Sequence, residues 1–461
     1  MSCGKPHGKV TVAPTDVHKS LARHMLVDGF PFVLDMDKSH GTYLIDKATG
    51  REYLDFFTFF ASSALGHNHP GLKEKEFNRR IGEMAICKPS NSDLYTVEMA
   101  EFVETFARIA VPENLPNLFF IDGGALGVEN ALKAAFDWKV RKNFAKGYKE
   151  EKGRQVIHFK DAFHGRTGYT LSLTNTDPTK TNYFPKFDWP RIENPKVVFP
   201  LEKHLSEVIE AEKRAVAAIE TAIARNKDDI AAIIIEPIQG EGGDNHFRGE
   251  FFKELRRIAD THEVILVFDE VQTGAGMTGK MWCYEHFGVA PDILAFGKKT
   301  QVCGIMASNR LNEVDSVFKV SSRINSTWGG NLVDMYRAKR IFEIIDEEDL
   351  VENAAKMGGI LMQHLNDLQK RYPKLIANAR GKGLFCAFDL PDTACRDALV
   401  TTCIKHDLIV LKCGVKTIRF RPPLNVNKNE VDSAAEIIDA VFKEYKRASC
   451  AGDASGAVHT E

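Results

Sequence analysis

Two residues carry the first chemical signal. An apolar run, VILVFD, ends on Asp269, and a second apolar segment, PDILAFG, is followed at once by Lys298. A carboxylate at the end of an apolar strand is costly to bury without a cationic or donor partner. A lysine after a strand and a glycine differs from the usual surface lysine. The glycine lets the backbone approach a ligand, and partial desolvation beside cationic groups frees the amine as a nucleophile. At successive strand ends the pair suits pyridoxal phosphate (PLP): the carboxylate keeps the pyridine nitrogen protonated and the lysine holds the aldehyde. An aspartate in this place also caps turns, and Lys299 competes with its neighbour. Position directly after Gly297 favours Lys298.

Other residues gain weight only beside that pair. Gly123, Gly124 and Ala125 lie between a short apolar strand and a helical pattern, where free N–H groups and the helix dipole favour a phosphate. In AFHGR, Phe163 could stack on a flat cofactor and Arg166 could clamp a carboxylate. As isolated residues the first suits a core and the second a surface. Glu236 and Glu241 follow another strand end, in EPIQGEGG, where a solvated loop is the plain alternative. Arg419 and Arg421 stand two apart in RFRPPL with one residue between. They are expected here to point to opposite faces, one into a cleft and one into solvent. His67 and His69 in GHNHPG are read as a loop, and no metal site is expected.

The elements that must position these groups are read from periodicity. Residues 15–26 read as a helix and residues 32–57 as a small β-meander. From about residue 117 short apolar strands (118–121, 156–159, 230–236, 264–268, 293–296, 303–307) mostly alternate with helical segments (128–146, 201–225, 250–261). In the first of these, Val128, Ala131, Leu132, Ala135 and Phe136 share one face. That alternation predicts an α/β domain with a mostly parallel sheet covered on both faces. A section from about residue 333 to 447 starts helical and ends in strands and a helix from Asn429, an α+β unit.

Composition excludes several classes. The 461 residues carry a net charge of −2 with no basic or acidic block, so neither nucleic acid nor a solvating tail is indicated. Nine cysteines, an odd number with no CxxC pair, favour reduced thiols in a cytoplasmic protein. No signal peptide or membrane span is expected.

In this order the motifs resemble the class III PLP-dependent aminotransferases of fold type I, over residues 26–423. DEVQTG followed by PDILAFGK is the most specific stretch. Within the class, GGALGVENALKAAFDWK, EPIQGEGGDNHFR, FGKKTQVCG and NSTWGGN are most similar to the members that take the ε-amine of L-lysine. The resemblance implies a large PLP-binding domain over 76–332 and a small domain over 333–447 joined by the segment 1–75. A disordered tail is expected over 448–461. It also implies a homodimer with shared active sites, using L-lysine, 2-oxoglutarate and L-glutamate. Residue by residue, it makes Lys298 the cofactor-bearing lysine and proton carrier, with Asp269 at the pyridine nitrogen. Phe163 would lie on the ring and Gln272 near its hydroxyl. Gly124 and Ala125 would bind the phosphate, reached by Thr327 of the neighbouring subunit with Asn325 nearby. Arg166 would take the distal carboxylate of either substrate. Arg419 would take the α-carboxylate of glutamate and pair with Glu241 when lysine is bound. Many class III members carry a hydroxyl residue in the phosphate loop. GGALG has none, so backbone groups and Thr327 must do more. An ω-aminotransferase for 4-aminobutyrate, ornithine or a diamine shares every cofactor residue and remains the alternative.

Overall fold

The computed structural model describes residues 10–455, with side chains to residue 444. The chain enters through a short helix, Val17–Leu21, less than half the expected 15–26 span, and a hairpin of β1 (Tyr43–Ile45) and β2 (Glu52–Asp55). The central elements come next: β3 (Asn117–Ile121), β4 (Gln155–Phe159), β5 (Arg191–Ile192) and β6 (Ile230–Ile235), then a two-stranded hairpin of β7 (Ile238–Gln239) and β8 (Asn245–His246), and finally β9 (Ile265–Asp269), β10 (Ile293–Phe296) and β11 (Cys303–Ala307). Beyond them lie β12 (Ala377–Lys382), β13 (Phe385–Asp389), β14 (Leu408–Ile409), β15 (Leu411–Cys413) and β16 (Thr417–Phe420).

Seven strands form the central sheet in the order β3-β11-β10-β9-β6-β4-β5. The run from β10 to β5 is parallel throughout, and β11 is antiparallel to both its neighbours. A strand antiparallel to two others makes those two run the same way. The C-terminal ends of β3, β10, β9, β6 and β4 therefore share one edge of the sheet.

Continuous apolar runs fit a sheet with no solvent face. Along β6 and β9, Ile233, Ile235, Leu266 and Phe268 enter one core cluster, while Ala232, Ile234, Ile265 and Val267 enter the other. That is the two-residue period of a strand buried on both sides. The second cluster is closed by Val128, Leu132 and Trp138 of the helix Gly124–Ala145. This helix starts four residues before the expected Val128, because the glycine loop is its first turn.

The C-terminal unit is a four-stranded antiparallel sheet, β12-β13-β16-β15, backed by the helices Leu350–Arg371 and Lys428–Ser455. Of the expected tail over 448–461, residues 456–461 lie outside the described chain, as do 1–9 of the N-terminal segment. β14 pairs in parallel with β2, so the N-terminal hairpin is continuous with C-terminal structure.

Between β2 and the first long helices the chain makes an unusual turn. Thr58, Phe59, Phe60 and Ala61 all have positive φ, from 41° to 67°. Left-handed backbone costs an L-residue about 1–2 kcal/mol, so tertiary ties must hold it. Asp55 accepts from the N–H groups of Phe57 and Thr58 at 2.8 Å, the Thr58 hydroxyl donates to the Arg421 carbonyl at 2.7 Å, and Lys299 Nζ donates to the Ala61 carbonyl at 2.7 Å.

Candidate active site

Five strand ends on that edge of the sheet deliver the groups. β3 leads into Gly123–Gly124, β4 into Phe163 and His164, β6 into Glu236, β9 ends on Asp269, and β10 is followed by Lys298. Gly123 takes φ +96° and leaves the first turn of Gly124–Ala145 without a side-chain cap, so free N–H groups and the positive dipole end face outward. Gly165, at φ +120°, presses the next loop against that turn. A Cβ there would stand 2.5 Å from the Ala125 Cβ.

Asp269 is buried and joined to fully buried His164, whose Nδ1 donates to the carboxylate at 2.8 Å. The other Asp269 oxygen accepts from the Val271 N–H at 3.1 Å. Burial alone would lower the His164 pKa, but the hydrogen bond and charge of Asp269, with Glu236 adding, carry it above the ordinary value. Glu236 accepts from the N–H groups of Phe163 and Gly240 at 2.9 and 3.0 Å. Burial pushes its pKa to about 7, against the favourable charge of His164. Burial also lowers the Lys298 ammonium pKa. Asp269 opposes that shift and Arg419 adds to it, so the amine loses its proton more readily than a surface lysine. Lys299 is 1 % exposed and occupied at the left-handed turn.

The raised Glu236 pKa has a measurable sign. A carboxyl that binds its proton more tightly folded than unfolded makes stability fall as pH rises, here from near 4.5 through about 7. Glutamine mimics the protonated acid. In thermal unfolding followed from pH 5 to 8, the Glu236→Gln variant is expected to lose less stability than the parent, by about 1–3 kcal/mol. Parallel curves would show that Glu236 does not titrate in this range.

Opposite this cluster, Glu241 sits in the turn between β7 and β8. One of its oxygens accepts from Arg419 Nη2 at 2.7 Å and the other from Lys180 Nζ at 2.5 Å. Burial works against the Glu241 charge, but Arg419 and Lys180 overcome it and keep its pKa below normal. Gln272 Oε1 accepts from both Arg419, at 3.4 Å, and Arg421, at 3.2 Å. This corrects the expectation that one of those arginines is solvated. Arg419 and Arg421 are 1 % and 0 % exposed, and Arg421 is neutralised by Asp244 at 2.6 Å. β16 ends at Phe420, and the two prolines after Arg421 cannot extend a ladder. Residues two apart on a strand share a face, so Arg421 stays on the side of Arg419 and turns inward with it, both meeting Gln272.

Gly124, Ala125, Phe163, Arg166, Glu241, Asp269, Gln272 and Lys298 line one cavity of about 400 Å³, together with His164 and Glu236. Arg166 lies exposed at its rim, and Arg419 reaches it through Glu241 and Gln272. Asn325 and Thr327 are exposed and do not line it. Sequence reasoning singles out neither His164 nor Lys180. His164 stands inside the AFHGR motif, and its only signal is adjacency to a strand end. Lys180, from a polar loop, has none.

The cavity fits PLP. It has an uncapped helix N-terminus for a phosphate, an aromatic wall in Phe163, a buried carboxylate–histidine pair for a ring nitrogen, and a partly desolvated lysine for an aldehyde.

Sheet order and strand-end chemistry define a PLP-dependent transferase of fold type I. The chain belongs to the class-III aminotransferases, whose family profile matches residues 26–442, and members of this family use PLP. It is 55 % identical over 425 residues to an L-lysine-epsilon aminotransferase of Mycobacterium tuberculosis, covering 91 % of this chain and 94 % of the relative. It is 50 % identical over 440 residues to the enzyme of that name from Amycolatopsis lactamdurans, covering 94 % and 98 %. Identity to human mitochondrial 4-aminobutyrate aminotransferase is 32 %, over 90 % of this chain and 86 % of that one. A solved lysine aminotransferase from M. tuberculosis, in its internal aldimine form, superposes with a TM-score of 0.91 at 53 % identity, covering 93 % of this chain and 99 % of that one.

Proposed function

We propose that this chain is an L-lysine 6-aminotransferase. It moves the ε-amino group of L-lysine to 2-oxoglutarate, giving 2-aminoadipate 6-semialdehyde and L-glutamate in two alternating half-reactions. The observation that carries the reading is the Glu241–Arg419 pair at 2.7 Å beside a cavity with Arg166 at its rim. Lysine must present its ε-amine, leaving its only carboxylate at the far end for Arg166. Glutamate presents its α-amine and has a carboxylate at each end, so it needs Arg166 and Arg419 together. A buried guanidinium without a partner costs several kcal/mol, on the order of 3–5. Glu241 supplies that partner while lysine is bound and yields it to the α-carboxylate of the diacid.

PLP, when bound, supplies the electron sink that lets the substrate carbon lose its proton. Lys298 would hold the cofactor and move that proton, Asp269 would keep the pyridine nitrogen protonated, and Phe163 would pack on the ring. Gln272 would lie near the ring hydroxyl, and Gly124 and Ala125 offer N–H groups to the phosphate. In a homodimer Thr327 and Asn325 would reach the partner's phosphate. Their exposure outside the cavity supports that, as do the exposed Leu94, Tyr95 and Trp328. A reducing, cytoplasmic setting is part of the same proposal and rests on the cysteine pattern. No described helix is long and apolar enough to cross a membrane.

The test is the absorbance of the PLP-loaded protein on adding L-lysine without any keto acid. Loss of the cofactor's visible band with a trapped semialdehyde supports the reading. Silence with lysine but conversion by 4-aminobutyrate or ornithine would move the chain to another ω-amine. These donors differ little in shape, and one methylene is worth about 1–3 kcal/mol. Removing the gate should invert preference. The Glu241→Ala variant is expected to slow the lysine half-reaction and admit glutamate, shifting their rate ratio roughly 10–100-fold, a buried-pair effect discounted for partial exposure. An unchanged ratio would rule out the gate.

A further inference from the structure

Glu241 has two cationic partners, and the gate uses only one of them. Lys180 Nζ holds the Oε1 atom of Glu241 at 2.5 Å while Arg419 holds Oε2 at 2.7 Å. Lys180 is no free surface lysine. Its side chain is 24 % exposed, its ammonium stands 5.5 Å from the centre of the Phe163 ring, and it ends the one-turn helix Pro178–Lys180. Asp177 fixes the start of that turn by accepting from the Thr179 N–H at 2.9 Å and its hydroxyl at 2.8 Å.

We propose that Lys180 is the pivot of the Glu241 gate, a positioning residue that retains one carboxylate oxygen while the other leaves Arg419. The inference rests on the lysine–2-oxoglutarate reading above and deepens it. When a diacid arrives, its α-carboxylate takes Arg419, and the displaced Glu241 would otherwise be an unpaired anion beside a second anion. Like charges held close in a partly desolvated site repel strongly. With Oε1 kept on Lys180, the opened gate stays neutralised and swings about a fixed point. In the closed position Arg419 already satisfies Glu241, so Lys180 matters most to the diacid half. It biases which substrate the site accepts without touching either.

The Lys180→Met variant separates the two halves. In single-turnover absorbance measurements, L-lysine is added to the PLP-loaded protein and 2-oxoglutarate to the aminated form that lysine leaves, and the second rate relative to the first is expected to fall about tenfold, one charge-assisted hydrogen bond discounted for exposure. Lys180→Arg should restore the ratio. In a Glu241→Ala background, Lys180→Met should change it no further, since the two residues then share no interaction. Equal slowing of both halves, or an additive effect in the double variant, overturns the pivot. Lys180→Gln is read in the same way should the methionine variant fail to fold. An unaltered protein inert toward L-lysine would remove the functional reading and the pivot with it. A reactive parent with an unmoved ratio would remove the pivot alone.

Discussion

Replacing Lys298 with alanine is expected to reduce both half-reactions roughly 10⁴-fold or more, because in the proposed reaction one side chain would both hold the cofactor and carry the proton. The neighbouring position makes the test specific. Lys298 opens onto the cavity with its pKa lowered by burial. Lys299 is spent on the Ala61 carbonyl at 2.7 Å. The Lys299→Met variant should therefore keep its chemistry and lose about 1–2 kcal/mol of stability, the cost of leaving a buried acceptor unmet. Denaturation midpoints and single-turnover rates on the two variants decide the matter. A Lys298→Ala protein still turning over within tenfold of the parent would exclude that lysine from the reaction.

The second large effect is expected at Asp269. Asparagine there keeps the shape and an acceptor for His164 but removes the charge. The pyridine nitrogen then has no anion to keep it protonated, and both half-reactions should fall by roughly 10²–10⁴. The same change should reach His164. With the charge of Asp269 gone, burial, the largest influence on that ring, prevails and holds it neutral. The His164 resonance in NMR should thus stop showing the raised pKa. Rates within tenfold of the parent would show that the Asp269 charge does not serve the ring nitrogen.

Much of this was legible because a parallel sheet writes itself plainly in sequence. The buried strands β6, β9 and β10 are short apolar runs, and the polar groups at their C-terminal ends gather along one edge of the sheet. Asp269 and Lys298 could be read as a pair from that rule, the Gly123–Ala125 turn gained weight only beside them, and the family resemblance then named their companions. The parts that escaped depend on contacts across the chain. The helices Lys75–Ile86 and Val97–Ala110 were not singled out, nor was β12, which bulges beside β13. The buried state of Glu236 could not be told from a solvated loop, since only neighbouring strand ends enclose it. Arg421 is misplaced by a misapplied period, since residues two apart on a strand share a face and both arginines are buried. The left-handed turn at Thr58–Ala61 contains no glycine or asparagine to announce it. Its conformation is imposed by Asp55, Arg421 and Lys299, which are distant in sequence or in other elements.

The five strand ends have a consequence for how the chain matures. Its cavity needs Gly124 near the start of the sheet, Lys298 near its end, and Arg419 from a strand some three hundred residues after the first, since β3 begins at Asn117 and β16 ends at Phe420. Contacts that span so much chain form late, after the loop-closure entropy between them has been met. No fragment emerging from the ribosome holds the whole cluster until the last β-strand is out. Cofactor uptake therefore reports on the seven-stranded sheet, whose strand ends carry Gly124, Phe163, Asp269 and Lys298, whereas selection between the two substrates also waits for β16 and Arg419.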